Sequence, residues 1–560
     1  MPRDGPRAQA PIDARFLPCE PRPGGFRRET PHNRGERLVS TARRGANVIE
    51  AWRPRFHVTP AGGRLMAPNG VVTDDGRLHV FFAHDQCFPV QNSRLRWGHA
   101  SVVVTPGPDG HTPRLRSEWR FHPDVLVPNH DYDRDGCLSG SAVRDDDGTV
   151  RLVYTGIVAP QGEGRRVHNS TPAEDSASGH FSADWCNASV NLAALFDTSG
   201  RHGGWCRPSS HNPLLDSASS PEGACGPFVF RDPDSPYGGW RMVLGSVQEP
   251  SLTLYRSDNL RTWTADGPLT LDTTDAEEGD TFDIVPEAST WEYPNLLRMR
   301  DCSTGEDKDV LVVSMRGVSP HAHHFASSAQ CVYWVGRLEG TTFHIERGCS
   351  ELDLGHEFYA ARFAPVTGDD AAVNDAIMIA WAGLPDADDQ PTADDGWVHC
   401  LTMPRRVRLC GGRLVQEFVT TSSAAADVAS GVIDSAIIPE TNVYGTMVGV
   451  RRDIPEPRHR SHLGLVSADG VHIDVDMMRN KAGDLLVRID RTEQSYHDGP
   501  DVRGVMILSE AIDNYRNNIG KAELLLSVDG SIMEAGVAGY TLTSRLFLNR
   551  GDHWAEETWS

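Results

Sequence analysis

Asp75-Gly76-Arg77-Leu78-His79-Val80-Phe81-Phe82 opens on a turn dipeptide and runs straight into a short β-rich stretch. Asp-Gly tolerates the positive φ of a tight turn, and a run of branched and aromatic residues fits a pleated, buried surface. The same texture returns down the chain. Asp147-Gly148 precedes Val150–Tyr154, and Gly238-Gly239 precedes Trp240–Leu244; Val310–Met315 and Ala376–Trp381 complete the set. Successive runs lie roughly 65 to 90 residues apart, room for about four strands with their loops, which is one propeller blade. No helical periodicity of any length interrupts them. The pattern predicts an all-β fold with a five-bladed β-propeller over residues 53–404.

The texture changes after Pro404-Arg405-Arg406. Short strands are predicted at Leu463–Val466, Val471–Val475, Leu485–Ile489 and Leu524–Val528, with turns at Asp469-Gly470 and Asp529-Gly530. Residues 430–560 therefore read as a C-terminal β-sandwich, with 405–429 as a linker. Residues 1–52 hold ten Arg, six acidic residues and seven Pro without periodicity, the composition of a disordered N-terminal extension.

The chain has 560 residues, with 54 Lys and Arg against 77 Asp and Glu, a net charge of −23. Such a surface repels nucleic acid and anionic membrane, so neither is expected as a partner. No stretch reaches the ~18 apolar residues of a membrane helix. Eleven cysteines show no CxxC pair, and no apolar leader follows Met1. Both observations predict mostly reduced thiols and a cytoplasmic protein. The sequons at Asn169 and Asn187 are then chance occurrences. His321, His323 and His324 sit in a polar loop without acids or Cys at ligand spacing. No glycine-rich phosphate loop, nucleophile elbow or zinc pattern is present. No cofactor or metal is expected.

A ligand pocket at one end of the propeller channel is the default expectation, and a carboxylate pair in it would suit glycosidic cleavage. Several segments, in order, resemble glycoside hydrolase family 32, the β-fructofuranosidases. They are Arg53–Pro60, Pro68-Asn69-Gly70, Arg96-Trp97-Gly98-His99-Ala100 and Asp135–Ala142. Phe230-Arg231-Asp232-Pro233, Trp291-Glu292-Tyr293-Pro294, Glu357–Ala360 and Met403–Arg406 follow, then Asp529–Glu534 and Leu542–Arg545. The resemblance spans about residues 53 to 550 and itself implies a five-bladed propeller followed by a sandwich.

By that resemblance Glu292 is the general acid/base and Asp232 the transition-state stabiliser. Arg231, Ser139, Trp97, Tyr293, Gln86 and Asp85 are candidate sugar-binding residues. The nucleophilic strand departs from the family pattern. Ala67 stands where the family has its nucleophilic Asp, Met66 replaces a sugar-binding Asn, and Arg64 replaces a Trp. Asp85 is the candidate substitute nucleophile; Asp74 and Asp75 read as turn formers. The expected function is hydrolysis of a β-fructofuranoside: sucrose, sucrose 6-phosphate or a fructan. Two alternatives stand beside it: a carbohydrate-binding or regulatory relative that has lost its nucleophile, and transfer or phosphorolysis on the same scaffold.

Overall fold

The computed structural model describes residues 52–88, 94–106, 113–115, 118–158, 188–196, 205–221, 223–232, 234–235, 238–281, 283–320, 324–366, 374–385, 387–419, 447–467, 470–494, 500–547 and 554–559. Apart from Trp52, the N-terminal extension expected at 1–52 lies outside them, as do both sequons, His321 and His323.

Five antiparallel runs follow one another. The first is β1 (Gly63–Asp74), β2 (Arg77–Asp85) and β3 (Arg96–Pro106), with β4 (Pro113–Leu115) and β5 (Arg120–Leu126) both on β3. The second is β6 (Gly136–Arg144), β7 (Val150–Ile157), β8 (Ala188–Phe196) and β9 (Trp205–Pro208). The third is β10 (Ala224–Arg231), β11 (Trp240–Ser246), β12 (Thr253–Ser257) and β13 (Thr264–Pro268). After β14 (Thr270–Asp272), the fourth is β15 (Thr290–Arg300), β16 (Asp307–Arg316), β17 (Ala329–Glu339) and β18 (Thr342–Glu351), with β14 on its outer edge. The fifth begins with β19 (Tyr359–Pro365) and β20 (Ala376–Ala382). Short β21 (Trp397–Val398) pairs β1 and β22 (Cys400–Leu401) pairs β20; β23 (Arg405–Leu409) and β24 (Leu414–Phe418) close the run. The first strands make a closed ring: β1 packs on β6, β6 on β10, β10 on β15, β15 on β19 and β19 on β1. The Asp75 turn predicted from sequence is there, with Asp75 at φ 45° and Gly76 at 68° between β1 and β2.

The linker expected from 405 begins instead with two strands of the fifth run. Arg405 and Val407 face inward, and β23 continues the ladder from β20, so the stretch is sheet rather than connection. Cys302 and Cys410 form a disulfide between the turn after β15 and the turn after β23, an exception to the reduced state expected.

Two packed sheets form the C-terminal sandwich. One is β25 (Met447–Asp453), β30 (Glu523–Asp529), β31 (Ile532–Val537) and β32 (Tyr540–Arg545). The other is β29 (Val502–Ile507), β28 (Leu485–Asp490), β27 (His472–Arg479), β26 (Arg460–Ser467) and β33 (Trp554–Trp559). Alternating inward residues such as Val475, Met477, Val487, Ile489, Leu524 and Leu526 fill the space between them. A ten-residue helix, α1 (Ser509–Asn518), which the strand-only reading missed, buries Ile512 against that core.

Propeller and sandwich meet across a buried ionic seam. Arg405 donates to Asp353 at 2.9 Å and Glu534 at 2.7 Å, Arg491 pairs with Glu357 at 2.7 Å, and Arg503 with Glu351 at 3.4 Å. His57 bridges Asp529 at 2.7 Å and Glu534 at 2.9 Å. Burial alone would lower the His57 pKa, but the two carboxylates outweigh it and hold it up at about 9. A raised histidine stabilises the fold fully below its unfolded value of ~6.5 and loses that contribution as pH climbs through 9. The natural chain is expected to lose melting temperature between pH 6.5 and 9.5. His57→Gln should start lower and show a flatter profile across that window in differential scanning calorimetry.

Candidate functional site

Each first strand of the ring carries a bulge near its start. On β1, Leu65 faces His84 but Pro68 faces Phe82, three steps against two. On β6, Leu138 to Gly140 covers one step on β7. Cys225 to Phe228 on β10, Glu292 to Asn295 on β15 and Tyr359 to Arg362 on β19 each spend three steps against two. An extra residue bends its strand and re-aims side chains. Here it turns five strand starts toward one another, at Ala67, Ser139, Gly226, Tyr293 and Ala360. Gly226, Tyr293 and Ala360 all take positive φ, at 66°, 49° and 55°. For Tyr and Ala that conformation is strained, and such strain collects at functional sites.

These starts lie at one end of the channel. Ala224 pairs with Ser246, and Ser246 pairs with Trp291, so the start of β10 is level with the start of β15. A Cβ built on Gly226 would lie 3.3 Å from Ser139 Oγ, 3.5 Å from Arg362 Nη2 and 3.6 Å from the Tyr293 nitrogen. Ala67 packs in one cluster with Tyr293, Tyr359 and Ala360.

Glu292 lies at this end of the ring and is 3 % exposed. Thr290 Oγ1 donates to its Oε1 at 3.2 Å, Arg316 Nε lies 3.2 Å from the same oxygen, and Tyr359 OH donates to Oε2 at 3.5 Å. The bulge that follows Glu292 frees it from the alternation of β15. Burial, with the Glu292 charge behind it, raises the pKa of the Tyr359, Tyr293 and Cys225 groups. They stay protonated, so Tyr359 can only donate to the carboxylate. Arg362, 1 % exposed, gives its Nη1 to Pro294 O at 2.7 Å and its Nη2 to Gly226 O at 3.4 Å. It has no carboxylate within ion-pair distance among the described residues, and burial lowers its pKa to about 10.

Ser139, Glu292 and Tyr293 are thus brought together with Ala67. Other candidates lie elsewhere. Asp232 follows Arg231 past the far end of β10. Arg231 pairs with Trp240 whereas Ala224 pairs with Ser246, so some 20 Å of strand separates Asp232 from the level of Glu292. Its carboxylate accepts from the Asp234 N–H inside a turn. Arg231 stacks on Trp240 at 3.7 Å and pairs with Asp146 at 2.5 Å. The position on β10 level with Glu292 is Gly226, followed by Pro227. Ala67-Pro68 and Tyr293-Pro294 put a proline after the turned residue in the same way. At the level of Glu292, β10 thus presents Gly226-Pro227, and Asp232-Pro233 lies six residues further on.

Trp97 is fully buried and donates its Nε1 to Leu138 O at 2.8 Å, a core group rather than a stacking platform. Gln86 is exposed at the end of β2, bonded to Asp124 at 2.6 Å and Arg96 at 3.2 Å. Asp85 lies on the same rim as Ala67, since it pairs with Arg64 in register, but it is committed to the Arg64 guanidinium at 3.3 Å and the Cys87 N–H at 3.0 Å. Arg64 also reaches Asp388 at 2.5 Å, whose other oxygen meets His399 at 2.7 Å. Asp74 and Asp75 are at the opposite hairpin end. Sequence reasoning missed Gly226, Arg316, Tyr359 as a Glu292 partner and Arg362. The residue-then-proline repeated at three of the five strand starts, Ala67-Pro68, Gly226-Pro227 and Tyr293-Pro294, was the visible signal.

Residues 57–417 match the Glycosyl hydrolases family 32 N-terminal domain, 361 of 560 residues. The chain belongs to glycosyl hydrolase family 32. A sucrose-6-phosphate hydrolase of Bacillus subtilis is 31% identical over 374 residues, 65% of this chain and 64% of that protein, so the match stops short of two thirds of the relative's length. A raffinose invertase of Escherichia coli is 28% identical over 457 residues, 80% of each chain. Among solved structures, a Bombyx mori β-fructofuranosidase superposes with a TM-score of 0.62 at 22% identity, covering 91% of this chain and 92% of that one. That likeness shows the fold: a β-propeller followed by a β-sandwich.

Proposed function

We propose that this chain takes β-fructofuranosides at the bulged end of the ring, with Glu292 as the group that passes a proton to the leaving oxygen. The carrying observation is the setting of Glu292: buried, re-aimed by a bulge, and held by Thr290, Arg316 and Tyr359 opposite Ser139. A buried carboxylic acid suits general-acid work. The five runs serve as five blades around that site. The sucrose-6-phosphate hydrolases and invertase among the relatives support the substrate class.

Ala67 and Gly226 favour a second reading, binding with little turnover. Neither a methyl group nor a hydrogen attacks an anomeric carbon or steadies an oxocarbenium ion. An Asp-to-Ala variant of the Bombyx mori enzyme has been solved in complex with sucrose, so a member of this fold holds its sugar after losing an aspartate. The buried free thiols of Cys137, Cys225, Cys331, Cys349 and Cys400 support a cytoplasmic setting, and the Cys302–Cys410 bond is the observation against it.

The test is fructose release from sucrose, sucrose 6-phosphate, inulin and levan, with sugar binding followed by calorimetry. Slow release that falls a further ~10²- to 10⁴-fold in Glu292→Gln is expected. Release untouched by Glu292→Gln removes Glu292 from the chemistry. Calorimetric binding with no release carries the second reading.

A further inference from the structure

The disulfide between Cys302 and Cys410 joins the turn after β15 to the turn after β23. Its two sulfurs differ in their setting. Cys302 is exposed, whereas Cys410 is 2 % exposed. The other described cysteines are free, and all but the exposed Cys87 and the half-buried Cys206 are buried. A thiol from solution can therefore reach Cys302 while Cys410 stays shielded, and access is one of the conditions that set the rate of thiol–disulfide exchange.

The two turns are held together without the bond. The Cys302 N–H donates to Leu409 O at 2.8 Å. Asp301, 2 % exposed, accepts from the Gly411 N–H at 2.9 Å and from the Gly412 N–H at 2.7 Å. Reduction leaves these contacts in place and the two thiols facing each other. The freed Cys410 thiol also has an acceptor, because Asn514 Oδ1 lies 3.5 Å from its sulfur. A pair framed in this way can open and close without unfolding the sheets around it.

Three parts of the chain meet at this pair. The cysteines stand 108 residues apart, one on the fourth run and one on the fifth. A Cβ built on Gly411 would lie 2.0 Å from Asn514 Nδ2, so the turn is pressed against α1 of the sandwich. Arg413, three residues past Cys410, pairs with Asp280 and donates to Tyr540 OH of β32 at 2.7 Å.

We propose that Cys302–Cys410 is a redox-operated staple, opened by a dithiol reductant and reclosed by a disulfide oxidant, that sets how firmly the fourth run, the fifth run and α1 hold together. A thiolate of the reductant attacks Cys302 Sγ. The Cys302–Cys410 bond breaks, and its electron pair leaves on Cys410 Sγ, which takes up a proton. The reductant's second thiol gives up its proton and attacks its own sulfur in the mixed disulfide, which frees Cys302. Two electrons pass from the dithiol to the pair, and closing reverses the exchange. The staple stands beyond the opposite end of β15 from Glu292, so it does not rest on the sugar reading.

The test uses the full natural chain. Native protein is held with or without excess dithiothreitol, free thiols are blocked, and the digest is searched by mass spectrometry for the Cys302–Cys410 cross-link. The cross-link should be present without reductant and lost with it, while the far-ultraviolet circular dichroism stays unchanged. Oxidised glutathione should restore it at the same pair. Reduction should lower the melting temperature by ~3 °C or more. Cys302→Ser should melt at the reduced value in either buffer. The proposal is overturned by a chain that lacks the cross-link under oxidising conditions or by a cross-link that yields only after denaturation. Re-oxidation to other pairs, or equal melting temperatures in the two states, overturns it as well.

Discussion

Ala67→Asp combined with Gly226→Asp is expected to raise fructose release from sucrose by ~10⁴-fold or more over the natural chain. Loss of a nucleophile and its partners in a well-studied protease costs ~10⁴ to ~10⁶ in turnover, so restoring both groups here should recover an effect of that order, roughly 5 kcal/mol or more of barrier. The fold is ready for both. Ala67 and Gly226 stand at bulged strand starts level with Glu292, each followed by proline. Asp tolerates the positive φ of position 226 better than most residues. Its Cβ would meet the Ser139 hydroxyl and an Arg362 guanidinium, both donors, rather than apolar atoms. Each single substitution should recover far less than the pair, because the groups act together on one transition state. Adding Glu292→Gln to the double variant should cancel most of the gain. A double variant that folds and binds sucrose but releases no fructose would show that positions 67 and 226 are not where the missing catalytic groups belong.

Arg405→Met should destabilise the chain by ~3–5 kcal/mol, read as a fall in the urea midpoint. The Arg405 guanidinium is fully buried. It meets Asp353, Glu534, Gln416, Thr541 and Thr543, and so ties the fifth run to the sandwich. Removing it strands two buried carboxylates, Asp353 and Glu534. His57 still faces Glu534, so that acid keeps a partial partner and Asp353 bears most of the cost. Arg405→Lys should recover only part of the loss. A single ammonium cannot span five acceptors arranged for a fork. An unchanged midpoint in Arg405→Met would mean that the seam contributes specificity of docking rather than stability.

Much of the fold was legible because its signals are local. Asp75-Gly76 and Asp147-Gly148 mark hairpins by their own backbone preference, and the β-rich runs behind them became β2 and β7. The sandwich core was readable from alternation at Val475, Val487 and Leu524. The ordered motifs singled out Glu292 and Ser139, which the fold places at the same end of the ring. The helix α1 escaped because its buried face is little more than Ile512, too narrow to leave a period.

Asp232 shows where reading along the chain fails. Phe230-Arg231-Asp232-Pro233 has the right letters, but depth in a propeller is set by strand register, which pairs residues far apart in sequence. A shift of six residues moves a side chain from one mouth of the channel to the other. Trp97 and Asp85 are the same lesson on a smaller scale, since burial and a committed Arg64 partner are properties of neighbours. The residues by themselves determined that this chain is an all-β member of a fructosidase lineage with alanine at position 67. Only the tertiary structure decided that Gly226 stands level with Glu292, that Arg362 is buried there with no carboxylate in ion-pair distance among the described residues, and that Phe230 and Arg231 of the apparent catalytic motif line a different cavity. Those facts depend on how five bulged strands meet around one axis, and no local stretch of sequence encodes that meeting.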